Sequence, residues 1–210
     1  MIEDLVLAWV RGWAVSRRTA PPVLLDGAYR VDVGLPGHLV RYVVPGLDAR
    51  VVRRLTGLRH VPGTWVKICA EPARAAPLLP DGWSVQESTE YLMAVPLRQD
   101  APRTVPEGYA LHVSTADGIV TVAVRTADGE PAATGRAGLA DAYAVFDQIE
   151  TAPAHRRRGL GGAVMSALSA AATAQGADTG VLVATAEGRA LYRHLGWQEI
   201  SEVTAAHVPA

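Results

Sequence analysis

A single cysteine, a single lysine and a single phenylalanine are spread through 210 residues. Cys69 on its own excludes an intrachain disulfide and any multi-cysteine zinc site, so an intracellular, cytoplasmic protein is the default expectation. Charge of one sign is also missing. With 20 basic against 21 acidic residues the net charge is -1, so no global field draws the chain to nucleic acid or an anionic membrane. Any anion site must be local. No apolar run nears the roughly 20 residues that span a bilayer. Glu3 and Asp4 stand where a signal sequence carries positive charge, so Ile2 to Ser16 is expected to be a helix, with Ile2, Leu5, Val6, Trp9 and Trp13 on one stripe.

Several chemical signatures are absent as well. There is no G-x-x-x-x-G-K-[ST], and the sole lysine, Lys67, stands alone. The six histidines are dispersed without an H-E-x-x-H or similar grouping, so no metal is expected, and His155 and His194 are read as surface or polar-contact residues. Ser166 and Ser169 fall inside a helical pattern and not on a G-x-S-x-G elbow.

What is present is punctuation: 20 glycines and 14 prolines divide short apolar runs, which indicates mixed α and β structure. Strands are expected at Ala28 to Val33, His38 to Val44, Trp65 to Ala70, Trp83 to Glu87 and Tyr91 to Leu97, with Asp48 capping a helix through Leu55. Arg98 to Gly108 is the best linker and divides the chain into residues 1–100 and 101–210. Beyond it, strands are expected at Tyr109 to Val113, Ile119 to Arg125, Ala132 to Ala137 and Ala142 to Thr151. A helix at Gly159 to Ala174, a strand at Val181 to Ala184, a helix at Glu187 to Leu195 and two last strands, Trp197 to Ile200 and Val203 to Val208, complete it. A faint repeat links the halves, because each runs strand, short helix, Gly-Trp and two strands at Gly82-Trp83 and at Gly196-Trp197.

The most informative stretch runs from Ile149 through Pro153 to Arg156-Arg157-Arg158-Gly159-Leu160-Gly161-Gly162. Main-chain N–H groups at the start of a helix are unpaired, and glycines there let an anion approach closely. Three arginines add bidentate donors. G-x-G-x-x-G fails at Val164, which removes support for dinucleotide binding.

Here the sequence resembles the GNAT superfamily of acyl-CoA-dependent N-acetyltransferases. Arg156 to Gly161 is similar to its [QR]-x-x-G-x-[GA] signature, Thr151-Ala152-Pro153 to its strand exit, and Ala190 to Trp197 to its A-x-x-Y-x-x-x-G-[FW] element with the alanine displaced. The resemblance covers roughly Glu107 to Val208. It implies a mixed, mostly antiparallel central sheet flanked by helices, and a second, smaller α/β half precedes it. It further implies that main-chain N–H groups from Arg157 to Gly162 and the side chains of Arg156, Arg157 and Arg158 hold the diphosphate of acetyl-CoA. The strand end at Ile149, Glu150 and Thr151 would hold the pantetheine, and Tyr192 would protonate or hydrogen-bond the departing thiolate.

The reaction needs a base for the protonated amine. Glu150 is the first candidate and Asp147 the second, and their parity along a strand predicts opposite faces. Cys69 lies outside the matched motifs, so direct attack in a ternary complex on a small-molecule or peptide amine is favoured over an acyl-enzyme. A homodimer is among the assemblies considered. Two departures stand out: Thr185 occupies the place of a frequent Asn, and the two helices usual between the first two strands are not evident between His112 and Ile119. Either the first half supplies that wall or it is a decayed second copy, with Trp9, Trp13, Tyr29 and Trp83 mostly core. The missing helices keep a second class open, a non-catalytic acyl-CoA sensor.

Overall fold

The apolar stripe at the start does form a helix: α1 (Ile2–Arg17) buries Val6, Trp9, Val10 and Trp13. Acidic Glu3 and Asp4 in its first turn and Arg17 in its last suit the helix dipole. The computed structural model describes residues 2–98 and 103–209. Residues 99–102, within the expected linker and at the expected domain boundary, lie outside the described residues.

After α1 come β1 (Val23–Leu25), β2 (Ala28–Leu35), β3 (His38–Val44), α2 (Ala49–Thr56), β4 (Thr64–Ile68), α3 (Pro72–Ala75), β5 (Ser84–Val85) and β6 (Glu90–Pro96). The second half follows with β7 (Tyr109–Ala116), β8 (Ile119–Thr126), β9 (Pro131–Ala140), β10 (Tyr143–Thr151), α4 (Leu160–Ala174), β11 (Thr179–Ala184), α5 (Ala186–His194) and β12 (Gln198–His207). Among the described residues the strands form one 12-stranded sheet ordered β1-β2-β3-β4-β12-β6-β11-β10-β9-β8-β7, with β5 beside β12. Only β3 with β4 and β10 with β11 pair parallel there.

Each half closes on the other. β6, the last strand of the first half, lies between β11 and β12, while β12, the last strand of the second, lies between β6 and β4. The two final strands expected after Trp197 are one: a register shift between Glu199 and Ser201 bends β12, so that Gln198 to Val203 pair with β6 and Thr204 to His207 with β4.

Side-chain alternation sorts the core into layers. One face carries α4 and α5 over Val122, Phe146, Leu182 and Met93. The other carries α1, whose Trp9, Val10 and Trp13 meet Tyr29, Val43, Leu92, Val145, Val181 and Val203 from both halves. A fully buried Val or Leu contributes about 1.5–3 kcal/mol, so this layer joins the halves through hydrophobic burial. Closeness is set by glycine: a Cβ on Gly12 would stand 2.8 Å from the Gly138 carbonyl oxygen and would overlap Val145.

The missing helices are explained by position. β7 and β8 are joined by a tight turn at Asp117 and Gly118, with φ of 52° and 72°, the conformation a two-residue hairpin requires. No helix can fit there. Instead α1 packs on β9, β10 and β11 from the face opposite α4.

Candidate functional site

β10 and β11 begin as a parallel pair, Tyr143 beside Thr179, Ala144 beside Gly180 and Val145 beside Val181, and their pairing stops there. Yet β10 continues to Thr151 on β9 and β11 continues to Ala184 on β6. The strands therefore part beyond Val145, leaving main-chain edges on Phe146 to Thr151 and on Leu182 to Ala184 without each other. The corresponding pair of the first half, β3 and β4, stays closed from Val40–Thr64 to Val44–Ile68.

A bulge lies in the parting strand. Gln148 takes φ 53°, and the register on β9 moves from Asp147 opposite Arg136 to Glu150 opposite Thr134. Arg136 and Thr134 are two apart and share a face, so Asp147 and Glu150 do too, contrary to the parity expectation. Asp147 accepts hydrogen bonds from Ser16 Oγ at 2.9 Å and from both Nε and Nη2 of Arg17, the latter at 2.9 Å. Glu150 is exposed, and its charge helps to hold the Arg17 pKa above its usual range, after the larger effect of the hydrogen bond to Asp147. Ile149 turns the other way, into the core under α4. Gln148 Oε1 is buried without a hydrogen-bond partner.

The chain then makes a short 3-10 turn, Pro153–His155, and enters α4 through Gly159 at φ 79°. No side chain caps α4. Its first main-chain bond runs from Ala163 N–H to the Gly159 carbonyl at 3.1 Å, so the N–H groups of Leu160, Gly161 and Gly162 have no partner among the described residues. A Cβ on Gly161 would meet Leu191 Cδ2 at 3.3 Å, which keeps the floor of this turn bare. The equivalent helix of the first half is closed: Asp48 Oδ1 accepts from the N–H groups of Arg50 and Val51 at 2.8 and 3.1 Å.

The three arginines are used differently. Arg156 donates through Nε to the Thr151 carbonyl at 3.3 Å and faces Glu187 at 3.7 Å. Arg158 donates to the Tyr109 hydroxyl at 2.8 Å, and that hydroxyl also meets His155 Nδ1 at 2.9 Å. Arg157 is exposed at φ 62°. His155 is therefore a buried brace of the turn and not a surface residue, with Tyr109 as a partner that motif spacing did not reveal. A histidine flanked by Pro153 and a basic run was the available signal.

Tyr192 on α5 is 9% exposed and packs near Trp197, ring centroids 6.1 Å apart. Burial, then the neighbouring Asp147 carboxylate, push its hydroxyl up to about 12, so it stays protonated across the physiological range. Thr185, where an Asn was expected, caps α5 by accepting from Gly188 N–H at 3.2 Å. Among the described residues no cluster of three or more His, Cys, Asp or Glu side chains could hold a metal, and no helix is long and apolar enough to cross a membrane.

A Bacillus subtilis protein named as an uncharacterized N-acetyltransferase, YjcF, is 36% identical over 76 residues, which cover 36% of this chain and 54% of that protein, so the chain spans about half the length of the curated relative it matches. The structure of a GCN5-related N-acetyltransferase from Kribbella flavida superposes with a TM-score of 0.68 at 18% identity, covering 100% of this chain and 95% of that one. A tandem GNAT protein from the clavulanic acid biosynthesis pathway superposes with a TM-score of 0.57 at 14% identity, covering 99% and 94%. A family profile described as acetyltransferase (GNAT) domain matches residues 116–199, less than half of the chain, so over that segment the chain is similar to GNAT acetyltransferases.

Proposed function

We propose that the protein is an N-acetyltransferase that moves the acetyl group of acetyl-CoA to a primary amine of a small molecule or peptide, by direct attack in a ternary complex. The observation that carries this is the coincidence of an opened parallel pair, β10 and β11, with the uncapped start of α4. The residues fit such a co-substrate. The unpaired N–H groups of Leu160, Gly161 and Gly162, with Arg157 beside them, suit a diphosphate, and the freed edge of Phe146 to Thr151 suits the pantetheine amides as an added strand would. The orphaned Gln148 Oε1 is an acceptor within the same bulge. Arg156 and Arg158 support the turn from its two sides.

Acetyl-CoA, when bound, supplies an activated carbonyl carbon on a thiol leaving group. Glu150 takes the proton that the amine loses as the C–N bond forms, its carboxylate being exposed while Asp147 is occupied by Arg17 and Ser16. Tyr192 donates a hydrogen bond to sulfur as the C–S bond breaks and the electron pair goes to sulfur. Burial holds its phenol protonated to about 12, so the proton stays on oxygen and the departing thiolate, whose ordinary pKa is about 8.5, is protonated from solvent. Asp147 is a positioning group that ties the end of α1 to β10. Cys69 stays out of the chemistry, since burial pushes its thiol up to about 12.

The first half is best read as a copy of the same fold that lost its co-substrate site, because β3 and β4 do not part and Asp48 fills the helix start that the diphosphate would need. Its retained task is to supply β6 and the α1 wall. The sensor alternative drew on the missing helices, and α1 on that face takes this support away. Calorimetric titration with acetyl-CoA, followed by thiol release across a broad amine panel, tests the proposal: binding with turnover upholds it, and tight binding without turnover on any amine returns the sensor.

A further inference from the structure

On the α1 face, near the parted strands, the described side chains gather the cations Arg17, Arg41 and Lys67 and the carboxylates Asp147, Glu90 and the exposed Glu150. Asp147 is paired with Arg17, and Glu90 with Lys67. Arg41 on β3 is left over. It is 8% exposed, its guanidinium lies 4.2 Å from the Trp13 ring centroid, and it makes no ion pair among the described residues. Its one hydrogen bond runs from Nε to His38 Nε2 at 3.2 Å. His38 brings no charge of its own, because burial and the charges of Arg41, Lys67 and Arg17 push the imidazole down to about 3, so it stays neutral and can accept at Nε2. The Arg41 terminal nitrogens have no hydrogen-bond partner among the described residues, and they are not among the atoms sealed from solvent.

A desolvated guanidinium without a counter-charge is costly, and the cation–π contact offsets only part of that cost. Burial pulls the Arg41 pKa down to about 10, held up by Glu90, opposed by Arg17 and held up again by Asp147, so the group senses the carboxylates on both sides. What is missing is an anion that can take the planar fork in a bidentate grip. Resting on the acetyltransferase proposal, we propose that Arg41 holds the carboxylate of the acceptor, so that the substrate class is small amino-carboxylates such as free amino acids. The amine is then presented toward Glu150, and Arg17, whose guanidinium lies 5.5 Å from the same Trp13 ring centroid and which is tied to Asp147, joins Arg41 to β10.

The test is a thiol-release assay with acetyl-CoA on the twenty amino acids and on their carboxamides. At least one acid should be a substrate, with kcat/KM about tenfold or more above its amide, since a site built for a polar group rejects the analogue that lacks it. Arg41→Gln should erase that preference by raising KM for the acid, leaving the amide rate and the calorimetric affinity for acetyl-CoA unchanged. Arg41→Lys, which keeps the charge without the fork, should retain part of the preference, and the wild-type acid-to-amide ratio needs no variant at all. Equal rates for acids and amides, equal loss of both in Arg41→Gln, or no acid acetylated while acetyl-CoA binds, would each overturn the assignment of Arg41. Failure of acetyl-CoA to bind would instead remove the acetyltransferase proposal. In that case a titration with N-acetylglycine, read by tryptophan fluorescence, decides on Arg41: saturation that Arg41→Gln abolishes upholds the anion site, and its absence overturns it.

Discussion

Asp147 and Glu150 lie on one face of the sheet although they are three residues apart, because the Gln148 bulge puts two residues between them on β10 where only Gly135 separates their partners Arg136 and Thr134 on β9. The two carboxylates then divide their tasks, Asp147 held by α1 and Glu150 left open. Asp147→Asn should lower stability by about 1–3 kcal/mol, since it weakens charge-assisted hydrogen bonds at a mostly buried position. Glu150→Gln should leave stability within about 0.5 kcal/mol and lower kcat about 100-fold. Urea unfolding and steady-state kinetics on the two variants separate these effects.

Tyr192→Phe should lower kcat by about 10- to 100-fold with little change in acetyl-CoA affinity, as expected when an interaction of the transition state is removed. Calorimetry beside kinetics checks it. Equal loss in both would assign the ring to packing.

The closed helix start of the first half gives its own prediction. Asp48→Ala removes the acceptor for two main-chain N–H groups of α2 and should cost about 1 kcal/mol. Thermal unfolding measures the loss, and acetyl-CoA affinity should not change, because the proposed co-substrate site is at α4.

Cys69 should react with a thiol reagent at pH 8 only when the protein unfolds, given its burial and a thiol pushed up to about 12 from 9.0. The raised value also has a stability consequence. Between these two values the folded chain keeps a proton that the unfolded chain has released, so the contribution of Cys69 is complete below pH 9 and is lost as pH rises toward 12. Cys69→Ala should flatten that part of the stability profile, as denaturant unfolding at pH 8, 9 and 10 would record.

The features that were legible beforehand are local ones. Gly159, Gly161 and Gly162 after Pro153 spell an uncapped helix start within ten residues, and Asp48 before Val51 and Val52 spells a capped one. The stripe of Trp9 and Trp13 indicated a buried helix face but not which strands it would cover, because that depends on a packing partner more than a hundred residues away. The same distance hid the Arg17–Asp147 pair and the placing of β6 between β11 and β12. The bulge had no signal either, since a glutamine at positive φ is imposed by its surroundings and not by its own preference. Arg41 read as one more strand residue, and only the layer formed with Trp13 shows it buried and uncompensated.

The most direct measurement is the calorimetric titration of acetyl-CoA into the wild type and into Gly161→Glu. The added side chain would start in the first turn of α4, against Leu191 Cδ2 at 3.3 Å and Thr151 Oγ1 at 3.8 Å, and would bring a negative charge beside the open N–H groups of Leu160, Gly161 and Gly162, with thermal unfolding checking that the variant stays folded. Saturable binding in the wild type and none in the variant is the predicted result. Unchanged affinity in the variant, or no binding by the wild type, would contradict an acyl-CoA site at this turn.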